Sequence, residues 1–280
     1  MSIDLHCHSG ESDGTYDPRA LVRMAKANGC SMLALTDHDS VSGLAAAKAE
    51  ADRLGGLRFV NGVEISVQWE GSVFHVLAYD FDPDNADFAA GLAKNRAGRI
   101  DRMRRIAQKM EKHAGVKGVF EGAMALSRRP EGVGRAHAAE YLYRSGAAPT
   151  RQAVFEMWLG EGKPCYEGLP AIGLEECLEI TRAAGGVASV AHPLRYSCPA
   201  EKVWRFVERF ARQGGQAIEA SGARTAEELD VCLGAARRYG LRASVGSDYH
   251  GPHRSSCVLG LPRQLPQGAS PVWELFADPH

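Results

Sequence analysis

The stretch IDLHCHSGESDGTYDPRALVRMAKANGCSMLALTDH, residues 3–38, decides the fold. At its start Ile3, Leu5 and Cys7 alternate with Asp4, His6 and His8, the two-residue period of a β-strand. Asp17-Pro18 then supplies a helix cap followed by proline at the first helical position. Ala20, Leu21, Met24 and Ala25 draw an apolar helical stripe, and Asn28-Gly29 offers a left-handed stop. Residues 31–36 are apolar nearly throughout, as in a strand covered on both faces. The unit is β-α-β, and its polar residues gather where the strands end: His6 and His8 near the first, His38 after the second.

Working outward, the pattern repeats. A helix is predicted over 42–54 and strands over 57–65 and 73–79. Further strands are predicted over 186–191, 217–220 and 242–245, separated by helices near 174–184, 200–213 and 226–239. Seven strands in mostly βα order predict an α/β fold, a distorted or incomplete barrel. A doubly wound open sheet is the alternative, but no phosphate loop or G-x-G-x-x-G follows the first strand. Between 95 and 168 the rhythm breaks. That stretch is helical and basic at first (Arg96, Arg99, Arg102, Arg104, Arg105, Lys109, Lys112), then rich in glycine. The expected organisation is a barrel of residues 1–94 and 169–280 with a helical insertion, 95–168, set over its mouth. The charge run is read as a solvated helix face.

Composition excludes several classes. Lys+Arg is 33 against Asp+Glu 34, a net charge of -1, so no global basic excess points to long nucleic acid. The seven cysteines are odd in number and form no C-x-x-C pair, which argues for buried free thiols rather than disulfides or a zinc-thiolate site. No basic and apolar leader opens the sequence and no stretch approaches the ~20 apolar residues of a membrane span. A soluble cytoplasmic protein is expected; composition leaves the oligomeric state open.

Nine side chains have the chemistry of metal ligands: His6, His8, Asp13, His38, Glu64, His75, His192, Asp248 and His250. His6 and His8, two apart on a strand, project from one face. Asp13 follows in the loop, His38 ends the second strand and Glu64 is placed at the end of the third. His75 lies within the fourth strand, while His192, Asp248 and His250 end later ones. An acid such as Glu64 in an apolar strand is costly unless partnered. Six imidazoles and three carboxylates are too many for one ion and suit two or three hard divalent cations in one pocket. Of the other histidines, His137 in the run Gly134-Arg135-Ala136-His137 stands nearest to a functional context. His253 lies in a loop, and His113 and His280 read as surface or terminal residues.

Six motifs recur in order across the whole chain: DLHCHS followed by Asp13-Gly14, ALTDHD, GVEIS followed by His75, GRAHAAEYL, AHP and GSDYH. Together they resemble the PHP (polymerase and histidinol phosphatase) family of metal-dependent phosphoesterases. The resemblance implies a distorted (β/α)7 barrel with a trinuclear centre. One ion would take His6, His8, Glu64 and Asp248. A second would share Glu64 and take His75 and His192. A third would take Asp13, His38 and His250. Family habit favours Mn²⁺, with Fe²⁺ or Zn²⁺ also suited to these donors. The resemblance also implies in-line attack on phosphorus by a metal-bridging hydroxide, with His192, Asp248 and His250 counted in the catalytic group. Three divalent ions against three carboxylates leave a surplus of positive charge suited to a phosphoryl dianion.

Arg135, His137 and Arg195 are the candidate substrate-binding residues. Within the family the chain looks like the stand-alone bacterial branch, which acts on small phosphorylated nucleotides or short oligonucleotides. The expected reaction is release of the 3'-phosphate from nucleoside 3',5'-bisphosphates. The alternatives are a 5'-3' exoribonuclease, a histidinol-phosphate-type phosphatase and a non-catalytic metal-stabilised module.

Overall fold

The described residues, 2–220, 225–252, 258–261 and 264–277, form eight strands and nine α-helices in this computed structural model. The opening β-α-β unit forms, but its first strand ends at Asp4, so His6 and His8 follow the strand and do not lie on it. β1 (Ser2–Asp4) leads to α1 (Pro18–Ala27), where the Asp17 carboxylate accepts from the Arg19 amide. Asp17 thus satisfies one unpaired amide and Pro18 has none to leave unpaired, so the helix begins there. Leu21, Val22 and Ala25 bury one face of α1, which packs on β2 (Cys30–Leu35). α2 (Leu44–Leu54) leads to β3 (Arg58–Trp69) and its hairpin partner β4 (Ser72–Tyr79). After the helical segment come α7 (Leu174–Ala183), β6 (Val187–Val190), α8 (Ala200–Arg212), β7 (Ala217–Glu219), α9 (Ala226–Tyr239) and β8 (Arg242–Ser244).

The strands lie in the order β1-β2-β3-β4-β6-β7-β8, and a two-residue β5 (Ile172–Gly173), not foreseen in the sequence, pairs with β3. Backbone bonds from Leu5 N to Val245 O (2.9 Å) and from Asp248 N to His6 O (2.7 Å) join the segments that follow β1 and β8. The sheet therefore curls back on its first strand as a distorted α/β barrel. The distortion has a definite source: β4 runs antiparallel to both β3 and β6.

One expectation needs correction. β3 does not stop near Glu64 but runs on to Trp69, placing Glu64 in mid-strand. Ile65, Val67 and Trp69 continue the alternation with Ser66 and Gln68. Glu70 and Gly71, at φ 43° and 75°, then form the two-residue turn of a twisted hairpin.

Along β3, Val63, Ile65 and Val67 join the core shared with Phe206 and Phe210 of α8, while Glu64 and Ser66 alternate with them. A separate apolar layer contains Leu5, Ala34, Val60, Leu77, Tyr79, Val187 and Ala217, closed by Val272 and Phe276.

α3 (Ala86–Ala114) is 29 residues long and crosses position 95 without a break. Phe88 and Leu92 belong to the barrel core, whereas Met103, Ile106 and Met110 belong to a second core. That second core is completed by α4 (Val119–Leu126), α5 (Arg135–Arg144), α6 (Arg151–Val154) and the π-helical turn 155–159. Cys7, Cys30, Cys165, Cys177 and Cys232 are buried free thiols and Cys198 is a partly buried one. Cys257, His253 and His280 lie outside the described residues. No helix among the described residues is long and apolar enough to cross a membrane.

Candidate metal centre

Five of the candidate ligands surround Glu64, and Asp13, Asp248 and His250 join the cluster through His6, His8 and His38. Glu64 Oε1 lies 2.9 Å from both His75 Nδ1 and His192 Nε2. Its Oε2 lies 2.9 Å from His38 Nδ1, 3.3 Å from His8 Nε2 and 3.4 Å from His6 Nε2. Asp248 Oδ1 is 3.4 Å from that nitrogen of His6, 3.3 Å from that of His8 and 3.5 Å from His250 Nδ1. Asp13 Oδ1 is 3.4 Å from His250 Nε2 and 3.9 Å from both His38 Nε2 and His8 Nδ1.

In three groups one donor atom from each residue lies within 4.8 Å of the others: His8, Asp13, His38 and His250; His6, His8 and Asp248; His38, Glu64 and His75. His8 and His38 thus each stand in two groups, and His192 reaches the cluster at Glu64 Oε1.

Local backbone geometry aims these side chains. His192 and Asp248, just past β6 and β8, adopt positive φ of 29° and 51°. Such a conformation costs a non-glycine residue of order 1–3 kcal/mol and is held only where the surroundings demand it. Gly246 is required beside His6, because a Cβ there would fall 2.1 Å from the His6 Cβ. The loop bearing Asp13 is shaped by Asp37, whose carboxylate accepts from the Ser9 amide (2.8 Å) and from the Ser9 and Ser12 hydroxyls (both 2.6 Å). Burial pushes Asp37 up to about 6 in spite of these bonds.

Sequence reasoning missed a residue of the same kind. Glu219, 1% exposed at the end of β7, lies 3.1 Å from His6 Nδ1 and accepts from the His192 amide at 2.7 Å. It therefore orients two candidate ligands at once, the role an outer carboxylate plays around a metal-binding imidazole. The signal was present: an acid inside the apolar run Ala217-Ile218-Glu219-Ala220, which is the pattern that marked Glu64. Asp39 was also passed over. At φ 52° it accepts from Arg99 Nε (2.7 Å), Asn95 Nδ2 (2.8 Å) and the Ser66 amide (2.7 Å), tying α3 to β3. Burial opposes its charge, but Arg99, the Ser66 amide and Asn95 hold it below the usual carboxylate range.

The donor set suits metal ions. Among the described residues, buried atoms His8 Nδ1, Asp13 Oδ1 and His192 Nδ1 have no hydrogen-bond partner, and His38 Nδ1, His75 Nδ1 and Glu64 Oε2 make no hydrogen bond of good geometry although both rings stand 2.9 Å from the Glu64 carboxylate. Buried polar atoms are rarely left this way, and six in one cluster call for cations. Protonation differs across the set: burial opposes charge on His6 and His38, but Glu219 and Glu64 raise the first and Glu64 and Asp13 raise the second. Burial, then the neighbouring His250, lowers His8 to about 3, leaving the neutral imidazole that ligation requires. Burial opposes the charge on Glu64, but His38, His75 and His6 hold it well below the carboxylate range.

The cluster opens into a cavity of about 660 Å³ whose lining includes Arg99, Arg102, Arg135 and Arg195. Arg195 donates to Asp248 Oδ2 at 2.5 Å. Arg135 donates to the Leu159 carbonyl (3.2 Å) and lies 6.0 Å and 5.5 Å from the Phe155 and Tyr166 ring centres. His137 is absent from the cavity lining; its Nδ1 accepts from the Gly134 amide at 3.1 Å and caps α5. The reading of the basic run as a solvated face fails at two positions. Arg99 and Arg102 are only 5% and 7% exposed, because they lie on the buried stripe of α3. Arg104 and Lys112, off that stripe, are exposed as expected.

The model of the PHP domain matches residues 4–159, more than half of the chain. The chain belongs to the PHP-domain family. Among curated PHP relatives, a 3',5'-nucleoside bisphosphate phosphatase of Chromobacterium violaceum is 40% identical over 97% of this chain and 95% of its own length. A 5'-3' exoribonuclease of Haemophilus influenzae is 36% identical over 98% of each chain. Among solved structures, an amidohydrolase from Chromobacterium violaceum with bound sulfate and no metal superposes with a TM-score of 0.91. It is 39% identical, with 98% of this chain and 96% of that one covered. The distorted barrel is thus a PHP fold.

Proposed function

We propose that the chain is a metal-dependent phosphoesterase that releases the 3'-phosphate from nucleoside 3',5'-bisphosphates. One observation carries this reading: buried ligand atoms without a well-formed hydrogen bond share a cavity with a wall of arginines. Cations and a phosphorylated substrate would each find their complement there. Nitrogen and oxygen donors without sulfur suit Mn²⁺, with Fe²⁺ and Zn²⁺ as alternatives, and the nine ligands are enough for three ions. Bound there, such ions supply Lewis acidity, an activated water and neutralisation of phosphate charge.

The chain's own residues do the positioning. Glu64 would link the His75–His192 side of the cluster to the His6–His8–His38 side through its two oxygens. Glu219 sets the His6 ring, and Arg195 holds the carboxylate of Asp248. Arg135, supported by Phe155 and Tyr166, presents a planar fork to a phosphate. His137 fixes the first turn of α5, on which Arg135 sits. Residues 95–168 act as the insertion that supplies this wall to the barrel of 1–94 and 169–280. A second phosphate bound there would orient the scissile ester, so that remote binding energy serves catalysis.

The bisphosphate phosphatase relative supports this substrate class. The exoribonuclease relative supports a second reading, in which the site takes short 5'-phosphorylated RNA. Mn²⁺-loaded protein should release phosphate from 3',5'-adenosine bisphosphate (pAp) with a higher kcat/KM than it shows on a 5'-phosphorylated oligoribonucleotide, metal content being measured on the same sample. Degradation of the oligonucleotide with no phosphate released from pAp would replace the first reading by the second.

A further inference from the structure

Arg102 is a buried arginine with nothing to hold. Its Nε is enclosed without a hydrogen-bond partner, and among the described residues its guanidinium forms no hydrogen bond or ion pair. Arg99, one turn earlier on α3, is by contrast engaged by Asp39 and Ser66. Burial, then the repulsion of Arg99 and Arg135, drives the pKa of Arg102 far below the ordinary guanidinium value. An arginine nevertheless keeps its proton in a protein, so a charge remains in the wall with no direct partner, offset only in part by the more distant Asp39. Packing gives no reason for it: Met103, Ile106 and Met110 show that apolar side chains serve along this stretch of the helix. A fold retains such a cost where an anion from outside offsets it.

We propose that Arg102 and Arg135 together form a two-guanidinium seat for the phosphate that is not hydrolysed, the 5'-phosphate of the nucleotide. Both line the metal-centre cavity, one from α3 and one from the start of α5. Two planar forks match the charge and the oxygen geometry of a phosphate dianion. Arg135 is braced by Phe155 and Tyr166, and Arg102 has its whole donor set to offer. The proposal rests on the reading that the substrate carries a second phosphate, and it adds where that phosphate sits.

The test uses full-length protein and compares binding of AMP with binding of adenosine, which lacks the 5'-phosphate. Wild type should prefer AMP, and Arg102→Met should reduce that preference about ten- to hundredfold, the loss of charged hydrogen bonds. Arg102→Lys, which keeps charge but not the fork, should fall between. The ratio of kcat/KM for pAp over a 3'-monophosphate should drop in parallel, mainly through KM. Ligand-free Arg102→Met should melt no lower than wild type, since an unpaired buried charge has been replaced by an apolar side chain of similar length. An AMP preference undiminished in both variants overturns the seat. So does a ligand-free melting temperature for Arg102→Met several degrees below wild type, the mark of an arginine paired for structure. Binding of AMP through Arg102 with no phosphate released from pAp would keep the seat and remove the phosphatase reading.

Discussion

The two walls of the cavity carry opposite unmet needs. The barrel wall gathers histidines and acids around Glu64 and, among the described residues, leaves six of their buried atoms without a well-formed hydrogen bond. The helical wall, from α3 and α5, carries Arg99, Arg102 and Arg135, and Arg102 has no ion-pair partner among the described residues. One wall lacks cations and the other lacks an anion. A phosphorylated ligand with bound metals would satisfy both, which neither wall does for the other. The walls also differ in construction. The ligands come from separate stretches fastened to strands of one sheet, while the arginines ride on helices with their own core. Asp39, gripping Asn95 and Arg99, joins the two.

The comparison breaks most completely at Glu64. Glu64→Gln keeps the shape but removes the charge shared by five imidazoles. It should cut kcat by about a thousandfold or more, about 4 kcal/mol in the barrier. Elemental analysis should show the loss of at least one metal equivalent. Full activity with full metal content would reduce Glu64 to an ordinary buried acid. The joint between the walls comes next. Asp39→Ala strands Arg99 in the interior and should destabilise the protein by about 3–5 kcal/mol in denaturant titration. Hydrogen exchange should then rise first in the central turns of α3, and an unchanged exchange pattern there would show that Asp39 does not couple the walls. The smallest effect tests the outer support of the barrel wall. Glu219→Gln should weaken metal affinity about 10–100-fold while leaving the fold intact. A variant that binds metal as tightly as wild type would remove Glu219 from the site.

What could be read in advance divides along the same line. The helices 174–184, 200–213 and 226–239 fall within a residue or so of α7, α8 and α9, because caps and apolar stripes are local. The candidate ligands stood out because imidazoles and acids at strand ends are conspicuous against apolar runs. Glu219 carried the same mark but lacked a neighbouring motif to draw attention to it. The arginines were misjudged because charge was weighed before period. Phe88, Leu92, Asn95, Arg99, Arg102, Ile106 and Met110 are spaced by three or four residues and form one buried helical stripe. Periodicity could have placed Arg99 and Arg102 on it.

By itself the amino-acid order determined the elements, the apolar layers and the chemistry of the ligand set, because alternation, capping and residue type act over a few neighbours. Only the tertiary structure decided that β4 would run antiparallel to both neighbours, that Glu64 would meet five histidines from separate segments, and that Arg102 would be buried without an ion-pair partner among the described residues. Those outcomes depend on contacts between residues far apart in the chain, which no local period encodes.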